Sequence, residues 1–86
     1  KTMIMGDHGV MVIGETVADT FNRLFYLERA ARNYIQALQT GQPLRVLSDE
    51  VAEKTARQLD AYPSQGGRHL SEILAILDRE EPEFRD

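Results

Sequence analysis

An α/β chain, with two short strands leading into one long helix and two further helices, is predicted by three features of the sequence. Two apolar runs near the start, Thr2–Met5 and Val10–Ile13, are bounded by Gly6, Gly9 and Gly14. A stretch free of glycine and proline, with apolar residues at helical spacing, then runs from Val17 to Thr40. Two shorter apolar faces follow, at 51–59 and 70–77, with a Pro- and Gly-containing stretch between them.

Short apolar runs punctuated by glycine read as strands, and Gly6-Asp7-His8-Gly9 is a tight connection between them. Neither strand alternates cleanly between apolar and polar residues, which implies that both faces are covered. Thr16 and Asp19, three residues apart, form a capping pair at the start of the long helix. Val17, Phe21, Leu24, Leu27, Ala31, Tyr34, Ile35 and Leu38 give its apolar stripe. Gly41 ends it and Pro43 prevents continuation. At ~1.5 Å per residue this helix is roughly 36 Å long, more than the diameter of a small domain.

The second helix is predicted to start at Ser48 as N-cap, with Asp49 and Glu50 in its first turn. Val51, Ala52, Thr55, Ala56 and Leu59 form its apolar face. Tyr62–Gly67 reads as a loop by composition. The third helix is expected from His69 to Arg79, with Leu70, Ile73, Leu74, Ile76 and Leu77 apolar. Residues 80–86, charged and centred on Pro82, read as a loose tail.

This inventory sets limits on the chain's role. Eighty-six residues allow one domain at most and only a modest core. Two strands alone make a marginal hairpin, and a long helix with a broad apolar face needs other layers to cover it. The expectation is therefore a part of a larger domain or an obligate partner in an assembly. The alternative is a self-contained three-helix bundle with a hairpin attached. A chain that opens at Lys1 rather than at methionine also reads as processed, trimmed or partial.

The formal charge is −4, and the arginines are interleaved with acids rather than gathered in a basic stripe. That pattern argues against nucleic acid and anionic membrane surfaces as partners. No apolar run reaches the ~20 residues that span a bilayer. The first residues lack the apolar segment and small-residue cleavage site of a signal peptide. Cysteine is absent, so disulfides and thiolate metal sites are excluded. The expected location is the cytoplasm.

The run Met3–Gly14, followed by Glu15–Phe21, Leu27-Glu28-Arg29-Ala30-Ala31 and Val46–Glu50, resembles the class II aldolase/adducin family. The resemblance lies in the order of the pieces: an apolar strand, His-Gly, a second strand ending in glycine, then a long helix carrying a Leu-Glu-x-Ala-Ala-like signature. These pieces cover about half of the chain.

The resemblance implies that residues 1–86 are the C-terminal part of a single α/β/α domain with a largely antiparallel central sheet. It implies a divalent metal, commonly zinc, held by three histidines, of which His8 is the third. The other two sit in an upstream His-x-His motif, which these residues do not contain. The implied activity is that of a metal-dependent lyase acting on a small hydroxylated carbonyl substrate, a sugar phosphate among the options. The implied assembly is a homo-oligomer, a tetramer by family habit. The rival reading is a non-catalytic, adducin-like oligomerisation or scaffold module. A free-standing helical interaction protein is a third.

His8 alone cannot hold a catalytic metal, because such a site takes about three protein ligands. The isolated segment is accordingly not expected to be active. From pattern alone His8 is a turn residue bonded to nearby backbone; the resemblance is what makes it a ligand. Asp7 either orients that ligand or, as the residue type favours, supports the turn. His69 and Arg68 read as surface or capping residues. Glu28 lies on the apolar stripe, with a structural role favoured over a catalytic one. Tyr34 reads as core, while Tyr26 and Tyr62 are proton donors only in principle.

Overall fold

The computed structural model describes every residue except Pro63, so that part of the predicted loop lies outside the described residues. The described residues form a small mixed α/β arrangement of two strands and three α-helices. The strands are β1 (Thr2–Met5) and β2 (Gly9–Val12); the helices are α1 (Val17–Gln39), α2 (Asp49–Asp60) and α3 (Gln65–Glu80). Two compact units emerge: Lys1–Tyr26 with Ser64–Asp86, and Leu27–Pro63.

In the first unit β1 and β2 form an antiparallel hairpin in the register Thr2↔Val12, Met3↔Met11, Ile4↔Val10 and Met5↔Gly9. The Ile13 amide extends the ladder by donating to the Lys1 carbonyl at 2.9 Å. β2 begins one residue earlier than predicted, at Gly9. There φ is +125°, a conformation in which a side chain is strained, so glycine can enter the ladder straight from the turn.

The start of α1 follows the predicted capping chemistry. The Thr16 hydroxyl accepts from the Asp19 amide at 3.1 Å and donates to the Asp19 carboxylate at 2.8 Å. One free amide of the first turn is thereby satisfied, and the carboxylate lies where the helix dipole favours negative charge.

Helix α3 starts at Gln65, not at His69 as the sequence suggested. Gly66, which by composition belongs to a loop, is the one buried residue of α3. A β-carbon built there would lie 2.8 Å from the Ala18 carbonyl oxygen and 2.8 Å from Asp19 Oδ1. The absence of a side chain lets the first turn of α3 press against the first turn of α1. Packing outweighs the poor helix propensity of the Gly66-Gly67 pair.

Residues 80–86, expected as a loose tail, instead contain a single 3₁₀ turn over Pro82–Arg85. The reason is a side-chain pair: the Arg85 guanidinium grips the Asp78 carboxylate through Nε at 2.5 Å and through Nη2 at 2.8 Å. That grip holds the Asp78 carboxyl below its ordinary value of 3.8. The pair therefore contributes fully above 3.8 and is lost as pH falls through the lower folded value. Both side chains are about half exposed, so the effect is local rather than global. NMR titration of the Arg85 Nε–H should show the turn releasing only below pH 3.8; release at or above that value would contradict the pairing.

In the second unit, α1 ends as predicted. Gly41 takes φ +70°, and its amide returns to the Leu38 carbonyl at 3.2 Å. Ser48 caps α2, its hydroxyl accepting from the Val51 amide at 3.3 Å. Glu28–Arg32 and Glu53–Arg57 are exposed pairs one helical turn apart. Such pairs are each worth only ~0.3–0.5 kcal/mol.

Among the described residues no hydrophobic side chain is buried. Ile4 is 78% exposed, Val17 79% and Leu59 59%. Tyr34, predicted as core, is 56% exposed. Full burial of a large apolar side chain is worth ~1.5–3 kcal/mol, so these stripes hold stabilising capacity that the chain's own packing does not use. Among the described residues no helix is long and apolar enough to cross a membrane.

Candidate metal-ligand turn

His8 sits at the tip of the hairpin, in the three-residue turn that joins Met5 to Gly9. Its amide donates to the Met5 carbonyl at 3.2 Å, closing the turn. Asp7 takes the left-handed conformation, φ +61°. Asp and Asn tolerate that region better than other side chains do. Asp7 thus has the turn-supporting role that its residue type favoured.

The His8 ring has a backbone partner. Nδ1 lies 3.0 Å from the Gly6 carbonyl oxygen. A carbonyl only accepts, so Nδ1 carries the proton in this bond. In the neutral ring Nε2 is then the nitrogen that carries the lone pair. This is the arrangement by which protein backbone fixes the tautomer of a metal-binding histidine. The residue is exposed at the tip, so Nε2 is open to a group outside the hairpin.

One donor does not make a centre. Among the described residues no group of three or more His, Cys, Asp or Glu side chains is placed to hold a metal ion. The chain's own residues fit a metal as a single ligand only. Asp7 and His8 are neighbours in the turn; Glu28, in α1, pairs with Arg32 at 3.1 Å, its side chain 71% exposed.

His69, expected at the surface, is partly buried. Its ring is 4.5 Å from Phe25 edge-on, 5.0 Å from Phe21 and 6.0 Å from Tyr26, centroid to centroid. Nδ1 meets Asn22 Oδ1 at 2.8 Å. His69 is thus an anchor of α3 on α1, and not a neighbour in sequence of anything it touches. A second missed element is Arg23, whose Nη1 donates to the Ile13 carbonyl at 2.5 Å. Only the Phe21, Phe25 spacing hinted at the ring cluster; no local signal marked Asn22 or Arg23. Beside these residues an open groove is lined by Gly14, Glu15, Thr16, Val17, Thr20 and Phe21.

Two comparisons bear on this turn. The family described as Class II Aldolase and Adducin N-terminal domain matches residues 1–35, a span that contains both strands, His8 and more than half of α1. The chain is also similar to a protein of Caulobacter vibrioides named "Putative aldolase class 2 protein", with 31% identity over 88 residues. That match takes in 100% of this chain and 34% of the relative, so the chain spans about a third of the relative's length. No solved structure matches the chain. The His-Gly turn between two apolar strands, the long capped helix that follows it and these two likenesses together support a relationship to the class II aldolases and adducins.

Proposed function

We propose that this chain is the C-terminal part of one class II aldolase-like domain, and that in the complete protein His8 supplies one of three histidine ligands to a divalent metal, zinc by family habit. The observation that carries the reading is the bond from His8 Nδ1 to the Gly6 carbonyl, which leaves Nε2 as the donor atom at an exposed hairpin tip. The family match over residues 1–35 supports it.

The chemistry the metal supplies when bound is Lewis-acid polarisation of a substrate carbonyl. The reaction class is cleavage or rearrangement of a small hydroxylated carbonyl compound, a sugar phosphate among the candidates. This segment contributes position. The Gly6 carbonyl orients the imidazole through Nδ1, and the hairpin that carries it leads into α1 through residues 13–16. The remaining ligands and the acidic catalytic residue belong to the rest of the protein.

The same reading accounts for the exposed apolar residues. Ile4 and Val10 share one face of the hairpin and Met3 and Met11 the other, and all four are at least 44% exposed. Strands apolar on both faces belong inside a larger, covered sheet. Further layers of the same domain, and other copies in a homo-oligomer, are the partners proposed for these surfaces, in a protein of the cytoplasm.

The test is the metal content of the complete protein purified without added metal. About one divalent ion per chain is expected. No metal, and no uptake after incubation with zinc, would replace the enzyme by an adducin-like scaffold and leave His8 as a turn residue.

A further inference from the structure

The hairpin that carries His8 is a lever. From His8 to Ile13 is five residues of extended chain, about 16 Å at ~3.3 Å per residue. A swing of about 5° at the base would move the tip by about 1.4 Å. Metal–ligand distances tolerate only about 0.2 Å. A two-stranded hairpin is marginal by itself, so something must stiffen its base.

The structure holds that base at two points. Arg23, in the second turn of α1, donates from Nη1 to the carbonyl of Ile13, the last residue of the ladder. Directly after it, Gly14 lies against Thr20. A β-carbon at Gly14 would be 2.6 Å from Thr20 Oγ1 and 3.0 Å from the Thr20 amide nitrogen. Thr20 is itself fixed, its hydroxyl donating to the Thr16 carbonyl at 2.9 Å. On the neighbouring residue, Asn22 meets His69 of α3 at 2.8 Å. One turn of α1 thus ties the hairpin base on one side and α3 on the other.

We propose that Arg23 is a positioning residue for the metal ligand: by holding the Ile13 carbonyl it fixes the angle of the hairpin on α1, and through it the place of His8 Nε2. The proposal rests on the reading of His8 as a ligand. Arg23 touches neither metal nor substrate. Its planar fork donates from a defined direction, which a single ammonium does not reproduce.

The experiment is a zinc titration, against a competing chelator, of the metal-free complete protein and its variants, with thermal unfolding in parallel. Arg23→Ala is expected to weaken zinc binding about tenfold, within the 10–100-fold range typical of groups that orient a ligand. Arg23→Lys, which keeps one donor, recovers part of the loss. Zinc affinity within twofold of the parent, whatever the change in unfolding temperature, would overturn the positioning role. Should Arg23→Ala fail to fold, Arg23→Lys and Gly14→Ala decide it, since both disturb the same joint; unchanged affinity in both overturns the proposal. His8→Ala in the same series separates the two ideas. If that variant keeps its zinc, the ligand reading itself fails; if it loses zinc while the Arg23 variants do not, only the positioning role fails.

Discussion

Gly66→Ala is expected to destabilise the protein by up to about 2 kcal/mol, although alanine is the better helix former. Two effects compete. In a helix, replacing glycine by alanine gains up to ~1 kcal/mol, because the unfolded chain loses freedom it would otherwise keep. Against this, the new methyl would stand 2.8 Å from the Ala18 carbonyl oxygen and 3.0 Å from its carbonyl carbon. Asp19 Oδ1, also at 2.8 Å, belongs to a side chain and can rotate. The Ala18 carbonyl is in the first turn of α1 and cannot move without dragging the helix. Overpacking against fixed atoms costs ~1–3 kcal/mol and opens the α1–α3 contact that His69 shares. The neighbouring glycine supplies the control. Gly67 has nothing within 4 Å of its would-be β-carbon, so Gly67→Ala should be neutral or stabilising by up to ~1 kcal/mol. Urea unfolding of the two variants side by side checks the pair. A stabilised Gly66→Ala would remove the close approach from the account of α3.

That residue also marks the boundary of what the sequence makes legible. Wherever structure is decided locally, the pattern predicts it. The Thr16, Asp19 pair opens α1, Gly41 closes it, Ser48 caps α2, and the glycines frame the hairpin, because each acts on backbone groups within a few residues. Gly66 acts on Ala18, and His69 on Asn22 across 47 residues of chain. Local composition carries no trace of such partners. The Gly-Gly pair therefore reads as a loop and His69 as a surface residue, whereas both are packing elements of one contact. Arg85 is intermediate. Its partner Asp78 is only seven residues away, but the proline-containing turn between them hides the approach. Tyr34 fails for a different reason. Its stripe is a genuine helical stripe, yet 56% of the residue is exposed, so periodicity reports a face suited to burial and not what covers it. For the site, spacing alone leaves His8 a turn residue, and the family resemblance adds the ligand role. The structure contributes the tautomer, which no sequence pattern encodes.

The two histidines should accordingly give opposite phenotypes. In the complete protein His8→Ala is expected to lower zinc affinity by more than about a hundredfold, since even groups that merely orient a ligand are worth 10–100-fold. Its effect on stability should be small. The ring is exposed and bonds the Gly6 carbonyl at 3.0 Å. A typical hydrogen bond nets ~0.5–1.5 kcal/mol, and water replaces an exposed one at little cost. Asp7 and Gly9 keep the turn's unusual dihedrals without it. His69→Ala reverses the pattern. The ring removed there touches Phe21, Phe25 and Tyr26 and bonds Asn22, so truncation leaves a gap between α1 and α3 and an amide without its partner. A loss of about 2–3 kcal/mol follows from aromatic contact and cavity terms together, with zinc affinity nearly unchanged. Metal analysis and thermal unfolding of both variants form the check. Retained stoichiometric metal in His8→Ala would remove the ligand assignment. Loss of metal in a folded His69→Ala would transfer it to the histidine between the helices, where Nε2 would then have to find its partners among groups supplied by the rest of the protein.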